Sequence, residues 1–353
     1  MLERLALQLE SSLPQSWMVL QLTPVLASNP PRNRVSLQST SFVNGTMSHN
    51  VAILLCTYQG GQYLPEQLDS FGKQSHLAWS VWVSDDGSQD NTLDILRSYQ
   101  EVWGPDRLSV LAGPRKGFAA NFMSLICRED ISADYYAMSD QDDIWHADKL
   151  ERAAQWLKTV PQDVPALYCT RTELVDEGGG KLGYSPLFRR RPSFRNALVQ
   201  NVAGGNTMVF NNAARKLLIT AGPDVKVAAH DWWAYIVVSG CGGKVFYDPI
   251  PSLLYRQHAK NLIGANTGMR ARFERIGKLF RGHLRAWTDQ HIIAMQPIIP
   301  SLSQDNLHTF DRFTSARQRS LIPRVFGIWR CGIYRQTRLG NLGLLAAAIL
   351  NRI

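Results

Sequence analysis

Cysteine is scarce in this chain of 353 residues, and its distribution excludes two kinds of site. The five cysteines are scattered, and no two of them form a C-x-x-C pair. Structural zinc sites and disulfide frameworks both rely on closely spaced cysteines, so neither is expected. Cys56 and Cys169 lie inside apolar runs, which predicts reduced thiols in the core of a cytosolic protein.

Long apolar runs are missing as well. No stretch of roughly 18 consecutive apolar residues occurs, which argues against a transmembrane helix. The apolar stretch Trp17–Ala27 is interrupted by Gln21 and Pro24 and preceded by acidic residues, so it does not fit a signal peptide. The hydrophobic content of 45% is nevertheless ample for a globular core, and we find no internal repeat.

Acidic residues are sparse in the last quarter of the chain. From residue 269 to 353, fourteen lysines and arginines stand against four acidic residues, so this segment holds the whole excess of the formal charge of +9. Such a segment favours polyanions, either nucleic acid or anionic lipid headgroups. Gly264–Trp287 and Ile322–Leu350 space apolar residues three and four apart beside arginines, which predicts amphipathic helices for a membrane surface. The alternative is that these stripes pack on the rest of the protein.

The first 48 residues show no sustained periodicity. They include a turn-rich run around Pro30 and Pro31, so residues 1–48 are expected to be a poorly ordered extension. Met47 stands directly before the first strong strand pattern. We therefore expect Met47 to be the native start.

Strand and helix patterns alternate from Val51 onward. Strands are predicted at 51–57, 79–84, 108–112, 135–139, 166–170 and 207–210, and helices at 63–73, 92–100, 118–126 and 148–160. This alternation predicts an α/β domain whose sheet is mostly parallel, with helices on both faces. In such a sheet the ligand lies beyond the carboxyl ends of the strands.

Three carboxylates occupy four positions in Asp140-Gln141-Asp142-Asp143, directly after the predicted strand 135–139. Their mutual repulsion is relieved when a cation or hydrogen-bond donors neutralise them. Oxygen ligands select hard cations, so the cluster predicts a site for Mg²⁺ or Mn²⁺. The alternative is a helix N-terminus, where acidic residues favour the dipole of the helix that begins near Asp148.

A second acidic pair follows another predicted strand, in Asp85-Asp86-Gly87-Ser88. Alone, this tetrad is typical of a tight turn that caps the next helix. Two acidic strand ends that face one crevice fit a nucleotide, since one carboxylate can accept from the base or ribose while another holds a metal bound to the diphosphate.

The order of these motifs resembles that of family 2 glycosyltransferases of the GT-A fold. The resemblance covers about residues 50 to 262 and is carried by Ile53–Tyr58, Gln67–Gln74, Asp85–Asp90, Gly117–Asn121, Asp140–Trp145 and Asp148–Leu150. It implies a Rossmann-like, mostly parallel sheet with flanking helices over residues 49–262, followed by a basic helical region over 263–353. The run from His230 to His258, with Asn261 and Gly264 after it, looks most like bacterial rhamnosyltransferases.

The resemblance also implies contacts to the nucleotide. Thr57 and Tyr58 would line the pocket for the base. Asp86 would bind the pyrimidine, with Asp85 beside it, and Asn121 would belong to the same nucleotide site.

On the reacting side, Asp140 would face the ribose and Asp142 the metal, with His258 as a second ligand. His258 is otherwise a plain polar neighbour. Asp231 matches the general base of inverting members, and a carboxylate across the sugar from the diphosphate can take the proton of an attacking hydroxyl. The alternative for Asp231 is a helix N-cap.

Two further features point to the acceptor. The backbone of Gly204-Gly205-Asn206 can approach it closely, because two of these residues lack a side chain. Trp232 and Trp233 offer apolar faces suited to a sugar ring, although core packing would explain them too.

These observations predict an inverting transfer of a sugar from a nucleotide-sugar donor, with dTDP-L-rhamnose as the best single donor. The expected acceptor is a saccharide or a lipid-linked sugar of cell-surface polysaccharide or lipopolysaccharide synthesis. An acceptor on a lipid carrier and the basic tail together predict a cytoplasmic protein that is peripheral on the inner face of the cytoplasmic membrane.

Two other functions would each account for part of the sequence. A sugar-phosphate nucleotidyltransferase would share the acidic strand ends, but it would carry an early Lys in a glycine-rich loop, and Gly60-Gly61 lacks that Lys. A nucleic-acid-binding protein driven by the basic tail leaves the carboxylates unexplained and shows no recognised binding motif. Nucleic acid is therefore not expected as a partner.

Overall fold

The computed structural model describes residues 42–43, 46–47, 49–258 and 283–353. In chain order the strands are β1 (Phe42–Val43), β2 (Thr46–Met47), β3 (Val51–Thr57), β4 (Trp79–Asp85), β5 (Leu108–Ala112), β6 (Tyr135–Ser139), β7 (Ile144–Trp145), β8 (Ala166–Thr170), β9 (Glu173–Val175), β10 (Lys181–Tyr184), β11 (Val209–Asn211), β12 (Lys244–Asp248) and β13 (Leu253–Arg256). The helices are α1 (Leu64–Gly72), α2 (Thr92–Trp103), α3 (Phe118–Ile126), α4 (Lys149–Leu157), α5 (Phe194–Ala197), α6 (Asn212–Thr220), α7 (His230–Gly240), α8 (His283–Ala294), α9 (Gln304–Arg317), α10 (Leu321–Arg330) and α11 (Arg338–Ile349).

The central sheet has seven strands in the order β12-β8-β11-β6-β3-β4-β5. Every neighbouring pair is parallel except those of β11, which runs antiparallel to both β6 and β8. The predicted α/β architecture with a mostly parallel sheet is therefore confirmed. Because β11 is reversed, the loop that precedes it reaches the edge of the sheet where β6 and β8 end.

Strand β3 shows why the sheet needs cover on both faces. Ala52, Leu54 and Cys56 belong to one hydrophobic core, and the alternate residues Val51, Ile53 and Leu55 belong to the other. All of these side chains are buried. A strand that is apolar at every position is typical of a parallel sheet between two layers of helices.

A second sheet, in the order β10-β9-β13-β7, was not predicted. Its strands have two to four residues, which is too short for a period of two to be recognised. β9 and β10 form a hairpin whose turn contains Gly179 at φ 85°. β7 follows the acidic cluster and pairs with β13, so this sheet brings Arg256 and His258 to the cluster.

The predicted strand 207–210 begins later than expected. Residues Gly205–Thr207 form a 3-10 helix, closed by a hydrogen bond of 2.8 Å from Thr207 Oγ1 to the Gly204 carbonyl, and β11 starts only at Val209. Helix α4 is also shorter than predicted at both ends. The hydrogen bonds that form this turn are local and do not follow the apolar period of two, so periodicity did not reveal it.

The helices α8 to α11 pack against the part of the chain that contains the central sheet. Leu284, Phe313, Ile328 and Leu344 join the same hydrophobic core as Trp233 of α7. No helix within the described residues is long and apolar enough to cross a membrane. The predicted boundary near 262 and residues 264–282 of the first amphipathic stripe lie outside the described residues, as does the predicted extension apart from β1 and β2.

Candidate active site

The carboxyl ends of β3, β4 and β6 lie side by side. Thr57, the last residue of β3, is in register with Asp85 at the end of β4, and Leu55 of β3 pairs with Ser139 at the end of β6. The two acidic motifs predicted from sequence therefore lie at the ends of β4 and β6, the two strands that flank β3. This is the edge at which parallel α/β sheets bind ligands.

Asp85 organises the turn after β4. One carboxylate oxygen accepts hydrogen bonds from Thr57 Oγ1 (2.8 Å) and Ser88 Oγ (2.6 Å), and the other accepts from the Ser88 amide (2.8 Å). Both Asp85 and Thr57 are buried. The structure thus places Asp85 and Thr57 as supports of the turn. The turn does not cap α2 directly, because that helix begins at Thr92.

Asp86 points away from that turn and holds a second loop. Its two oxygens accept hydrogen bonds from the backbone amides of Arg115 (2.6 Å) and Gly117 (2.9 Å). Arg115 adopts the left-handed conformation at φ 57°, which turns the chain so that both amides face the carboxylate. Asp86 is only partly buried, so one edge of this contact remains open to a ligand.

Asn121 is placed differently from the other predicted nucleotide contacts. It is 2% exposed, its amide nitrogen donates to the Ser84 carbonyl (2.9 Å) and its amide oxygen accepts from Ser84 Oγ (2.5 Å). Its position beneath the end of β4 assigns it to the support of the strand end. The structure does not bring its side chain into the crevice.

Tyr58 and Gln141 join the end of β3 to the acidic cluster. The Tyr58 amide donates to Gln141 Oε1 (2.8 Å), and Gln141 Nε2 donates back to the Tyr58 carbonyl (2.9 Å). A Cβ atom at Gly60 would displace the Gln141 amide, so the absence of a side chain there allows this pair of hydrogen bonds. The Tyr58 side chain is 58% exposed and is therefore available to stack on a base.

The cluster Asp140-Gln141-Asp142-Asp143 lies between β6 and β7, not at a helix N-terminus. Asp143 is fully buried and accepts a hydrogen bond of 2.6 Å from Asn206 Nδ2. Lys149 is equally buried, with its Nζ 3.3 Å from the centre of the Trp145 ring and donating to the Asn206 carbonyl. This ammonium group offsets part of the negative charge, and burial together with the charges of Asp142 and Asp140 raises the pKa of Asp143.

Asp142 and His258 meet at the outer side of the cluster. His258 Nε2 lies 2.9 Å from Asp142 Oδ2, and its ring stacks on Tyr63 at 5.1 Å between centroids. The buried Arg256 guanidinium contacts the Asp142 carbonyl (3.4 Å) and Glu66 (2.6 Å). Sequence reasoning predicted the Asp142 and His258 pair as metal ligands, and the structure brings the two together.

The donor set fits a hard divalent cation. Mn²⁺ binds both carboxylate oxygens and imidazole nitrogens. Mg²⁺ binds the carboxylate oxygen. Over residues 49–258 and 283–353, no group of three or more His, Cys, Asp or Glu side chains converges to hold a metal. Asp142 and His258 alone leave most positions around such a cation open, and the oxygens of a diphosphate can fill positions of this kind.

Asp231 lies in the first turn of α7, whose N-cap is Ala229, so it is not the capping residue. Its oxygens accept hydrogen bonds from the Trp232 amide (2.6 Å) and the Gly205 amide (3.0 Å). Burial raises the pKa of Asp231 to about 6, although these amides oppose the shift. Gly205 must be glycine here, because a Cβ atom would overlap His230.

Asp231 belongs to the same electrostatic cluster as the strand-end acids. Burial, followed by the charges of Asp142 and Asp231, raises the pKa of Asp140 to about 7, while Lys149 opposes the shift. Coulombic coupling of this kind requires short separations. The Gly205 amide binds Asp231 and the adjacent Asn206 binds Asp143, so the predicted base lies close to the acidic cluster that holds the predicted ribose and metal residues.

The two tryptophans proposed for the acceptor do not face it. Trp233 is fully buried, and Trp232 is 7% exposed with its Nε1 donating to the Ala197 carbonyl (2.6 Å). The ring of Trp232 packs against Trp287 and His291. That interpretation was wrong, because both tryptophan rings are buried in the hydrophobic core.

Four residues of the site received no role from the sequence. Gln141 clamps the Tyr58 backbone, Lys149 and Asn206 neutralise and hold Asp143, and Arg256 holds the Asp142 backbone. Each of them lies within or beside a motif quoted for the family resemblance or the acceptor loop. Their place next to these motifs was the one sequence signal that could have pointed to a role in the site. The residues that they contact are remote in sequence, so the contacts themselves could not be predicted.

Comparisons with known proteins bear on the family and the fold of the chain. Residues 52–218 match the family model described as Glycosyl transferase family 2. The chain is 31% identical over 239 residues to dTDP-rhamnosyl transferase RfbG of Shigella flexneri, a match that covers 63% of this chain and 78% of RfbG. Among solved structures, S. aureus TarS 1-349 superposes with a TM-score of 0.50 at 13% identity, covering 86% of this chain and 88% of TarS.

Proposed function

Because the chain belongs to glycosyl transferase family 2, we propose that it transfers a hexosyl group, with inversion, from a nucleotide-sugar donor to a hydroxyl of a saccharide or lipid-linked acceptor. The observation that carries the proposal is the crevice in which Asp231, with a pKa of about 6, is coupled to Asp140 beside the Asp142 and His258 pair. A base and a place for a charged leaving group are what such a transfer requires.

In the proposed reaction the oxygen of the acceptor hydroxyl attacks the anomeric carbon of the donor sugar. Asp231 takes the proton of that hydroxyl as the attack proceeds. The bond from that carbon to the diphosphate oxygen breaks, and the nucleoside diphosphate leaves. A single displacement from the opposite face inverts the anomeric configuration. A carboxyl with a pKa of about 6 is ionised near neutral pH and still basic enough to accept the proton.

Asp142 and His258 would hold Mg²⁺ or Mn²⁺ together with the diphosphate. When bound, the cation supplies positive charge that stabilises the leaving diphosphate. The residues around it fix the ligands: Arg256 holds the Asp142 backbone, and Tyr63 stacks on the His258 ring.

Nucleotide recognition is proposed for the face formed by Tyr58, Asp86 and Asp140. Tyr58 is exposed enough to contact a base, and Asp86 accepts from the 115–117 loop that borders the same edge. Thr57, Asp85 and Asn121 act on this face through the hydrogen bonds that hold it. We propose dTDP-L-rhamnose as the donor, supported by the 31% identity to dTDP-rhamnosyl transferase RfbG.

The proposed setting is synthesis of cell-surface polysaccharide or lipopolysaccharide, with the enzyme in the cytoplasm at the inner face of the cytoplasmic membrane. Two features support it. The described C-terminal helices carry many arginines, and all five cysteines are unpaired, as expected in a reducing compartment.

The test is a panel of nucleotide sugars, each with Mg²⁺ or Mn²⁺, assayed for thermal stabilisation and for hydrolysis or transfer. We expect dTDP-L-rhamnose to stabilise the protein most, and release of dTDP to depend on the cation. The variant Asp163→Asn serves as a control and should respond to the nucleotide sugars as the parent does. Asp163 is exposed before β8, at the opposite edge of the sheet. Release of pyrophosphate from a nucleoside triphosphate and a sugar phosphate would favour a nucleotidyltransferase instead, and no response to any nucleotide sugar would refute the proposal.

A further inference from the structure

The outward faces of α10 and α11 are apolar and lack cover within the described residues. On α11, Leu339, Leu342, Leu345 and Ile349 are 62%, 63%, 46% and 46% exposed, respectively. Their spacing of three and four residues places them on one side of the helix, opposite the buried Leu344, Ala347 and Ala348. A helix that turns such a face to solvent is unusual for a surface without a partner.

Helix α10 repeats this arrangement. Ile322, Phe326 and Trp329 are 79%, 53% and 74% exposed, and the Phe326 and Trp329 rings lie 5.7 Å apart. Arg324 and Ile328 form the buried side. The apolar residues of α10 therefore form one outward face.

The two helices form one unit. Arg324 of α10 donates to the carbonyls of Ala348 (2.6 Å) and Ile349 (3.3 Å) at the end of α11. These hydrogen bonds satisfy carbonyls that a helix C-terminus leaves unpaired. The outward faces are thus attached to each other and, through the buried sides, to the core around α7. We call the outward faces of α10 and α11 together the C-terminal apolar surface.

In the part of the sequence that forms the C-terminal apolar surface, every charged side chain is positive. After Asp311 the chain contains eight arginines and no aspartate or glutamate. Arg317 and Arg324 are buried, whereas five of these arginines are exposed: Arg312, Arg319, Arg330, Arg338 and Arg352. A second copy that paired through this same surface would bring identical positive charges together, and this part of the sequence has no Asp or Glu to offset the repulsion.

From these observations we propose that the C-terminal apolar surface docks on a membrane that contains anionic lipid. Apolar side chains such as Trp329 and Leu342 enter the boundary between headgroups and acyl chains, and the exposed arginines pair with the headgroup phosphates. The proposal deepens the location given under the proposed function, and it identifies the residues that hold the protein there.

The experiment is flotation of the full chain with vesicles of phosphatidylcholine alone or of equal parts phosphatidylcholine and phosphatidylglycerol, in low and high salt. Binding is expected to the anionic vesicles in low salt, and to weaken in high salt. Two double variants, Phe326→Ser with Trp329→Ser and Leu342→Ser with Leu345→Ser, should each lower the affinity by about tenfold or more, because each removes two large apolar groups.

Val102→Ser is the matched control, since Val102 is 79% exposed on α2 and lies outside the C-terminal apolar surface. The substituted side chains are exposed, so circular dichroism spectra and melting temperatures should match the parent. Unchanged vesicle binding in both double variants would overturn the proposal, as would absence of binding in low salt. A dimer in sedimentation analysis that both double variants abolish would assign the surface to a second copy.

Transfer to a water-soluble acceptor separates this proposal from the proposed function. The double variants should keep the parental turnover with such an acceptor while losing vesicle binding. A parent chain that binds vesicles but transfers no sugar would refute only the function. A parent chain that transfers sugar without binding vesicles would refute only the docking surface.

Discussion

The pH dependence of the Asp231→Asn variant is the sharpest test of the proposed base. Asparagine keeps the shape of the side chain but cannot accept a proton, so turnover should fall by about two to four orders of magnitude. Donor affinity should change little, because Asp231 contacts the Trp232 and Gly205 amides and not the nucleotide edge. Steady-state turnover and donor binding by calorimetry would be measured on both proteins.

The parent enzyme supplies an internal check. With a pKa of about 6, Asp231 is ionised to about one tenth at about pH 5 and almost fully at about pH 8, so the turnover of the parent should rise roughly tenfold across this range. The variant should lose this limb of the profile. A variant that retains both the turnover and the acidic limb, or one whose donor affinity collapses, would refute the assignment.

Stability provides an independent measure of the same group. Because the folded pKa is raised from 3.8 to about 6, ionisation disfavours the folded state, and the penalty is absent below the unfolded pKa and complete above the folded one. The full penalty is about 3 kcal/mol, and about half of it develops between roughly pH 5 and pH 8. The free energy of unfolding of Asp231→Asn relative to the parent should therefore increase by about 1 kcal/mol over that interval. Urea titrations measure this difference, and a flat difference would show that Asp231 titrates normally.

Three further predictions concern the rest of the crevice. Asp142→Ala should abolish transfer with an unchanged melting temperature, and excess chelator should do the same to the parent; activity that survives either treatment would exclude the metal role. Lys149→Met should lower the free energy of unfolding by about 3 to 5 kcal/mol, because it leaves buried carboxylates without their cation. Urea titration measures this loss. Lys158 is exposed, so Lys158→Met should change the free energy of unfolding little in the same titration. Gly60→Ala should weaken donor binding, because its Cβ would displace Gln141, and Gly178→Ala, whose Cβ meets no atom closer than 3.5 Å, should bind as the parent does.

The parallel core of the fold could be predicted because its strands are apolar throughout. The strands 108–112, 135–139 and 166–170 were predicted with the boundaries that the structure has. The small sheet escaped because β7 and β9 have two and three residues, too few for a pattern. The reversal of β11 escaped because strand direction depends on chain connections and leaves no mark on the composition of a three-residue strand.

The positions of the acidic residues in the site could be predicted from the sequence, but the hydrogen-bond partners of each carboxylate could not. Asp85 and Asp86 are adjacent and chemically identical, yet the first closes its own turn and the second binds the amides of another loop. Asn121 was grouped with the nucleotide contacts, and only its hydrogen bonds to Ser84 show that it supports a strand end. Such roles depend on which partner lies within hydrogen-bond distance, and those partners are up to dozens of residues away in the chain.

Helix α7 connects two parts of the molecule that have different surroundings. Its first turn carries Asp231, and the carbonyls of Ser239 and Gly240 at its other end accept hydrogen bonds from Asn306 of α9. Eleven residues at the rise of an α-helix make a rigid spacer of roughly 16 Å. The helix that carries the carboxylate is therefore the same one that α9 holds at its far end. Removing the C-terminal helices would strip the cover from α7, so truncation of the tail should lower activity even in assays without lipid.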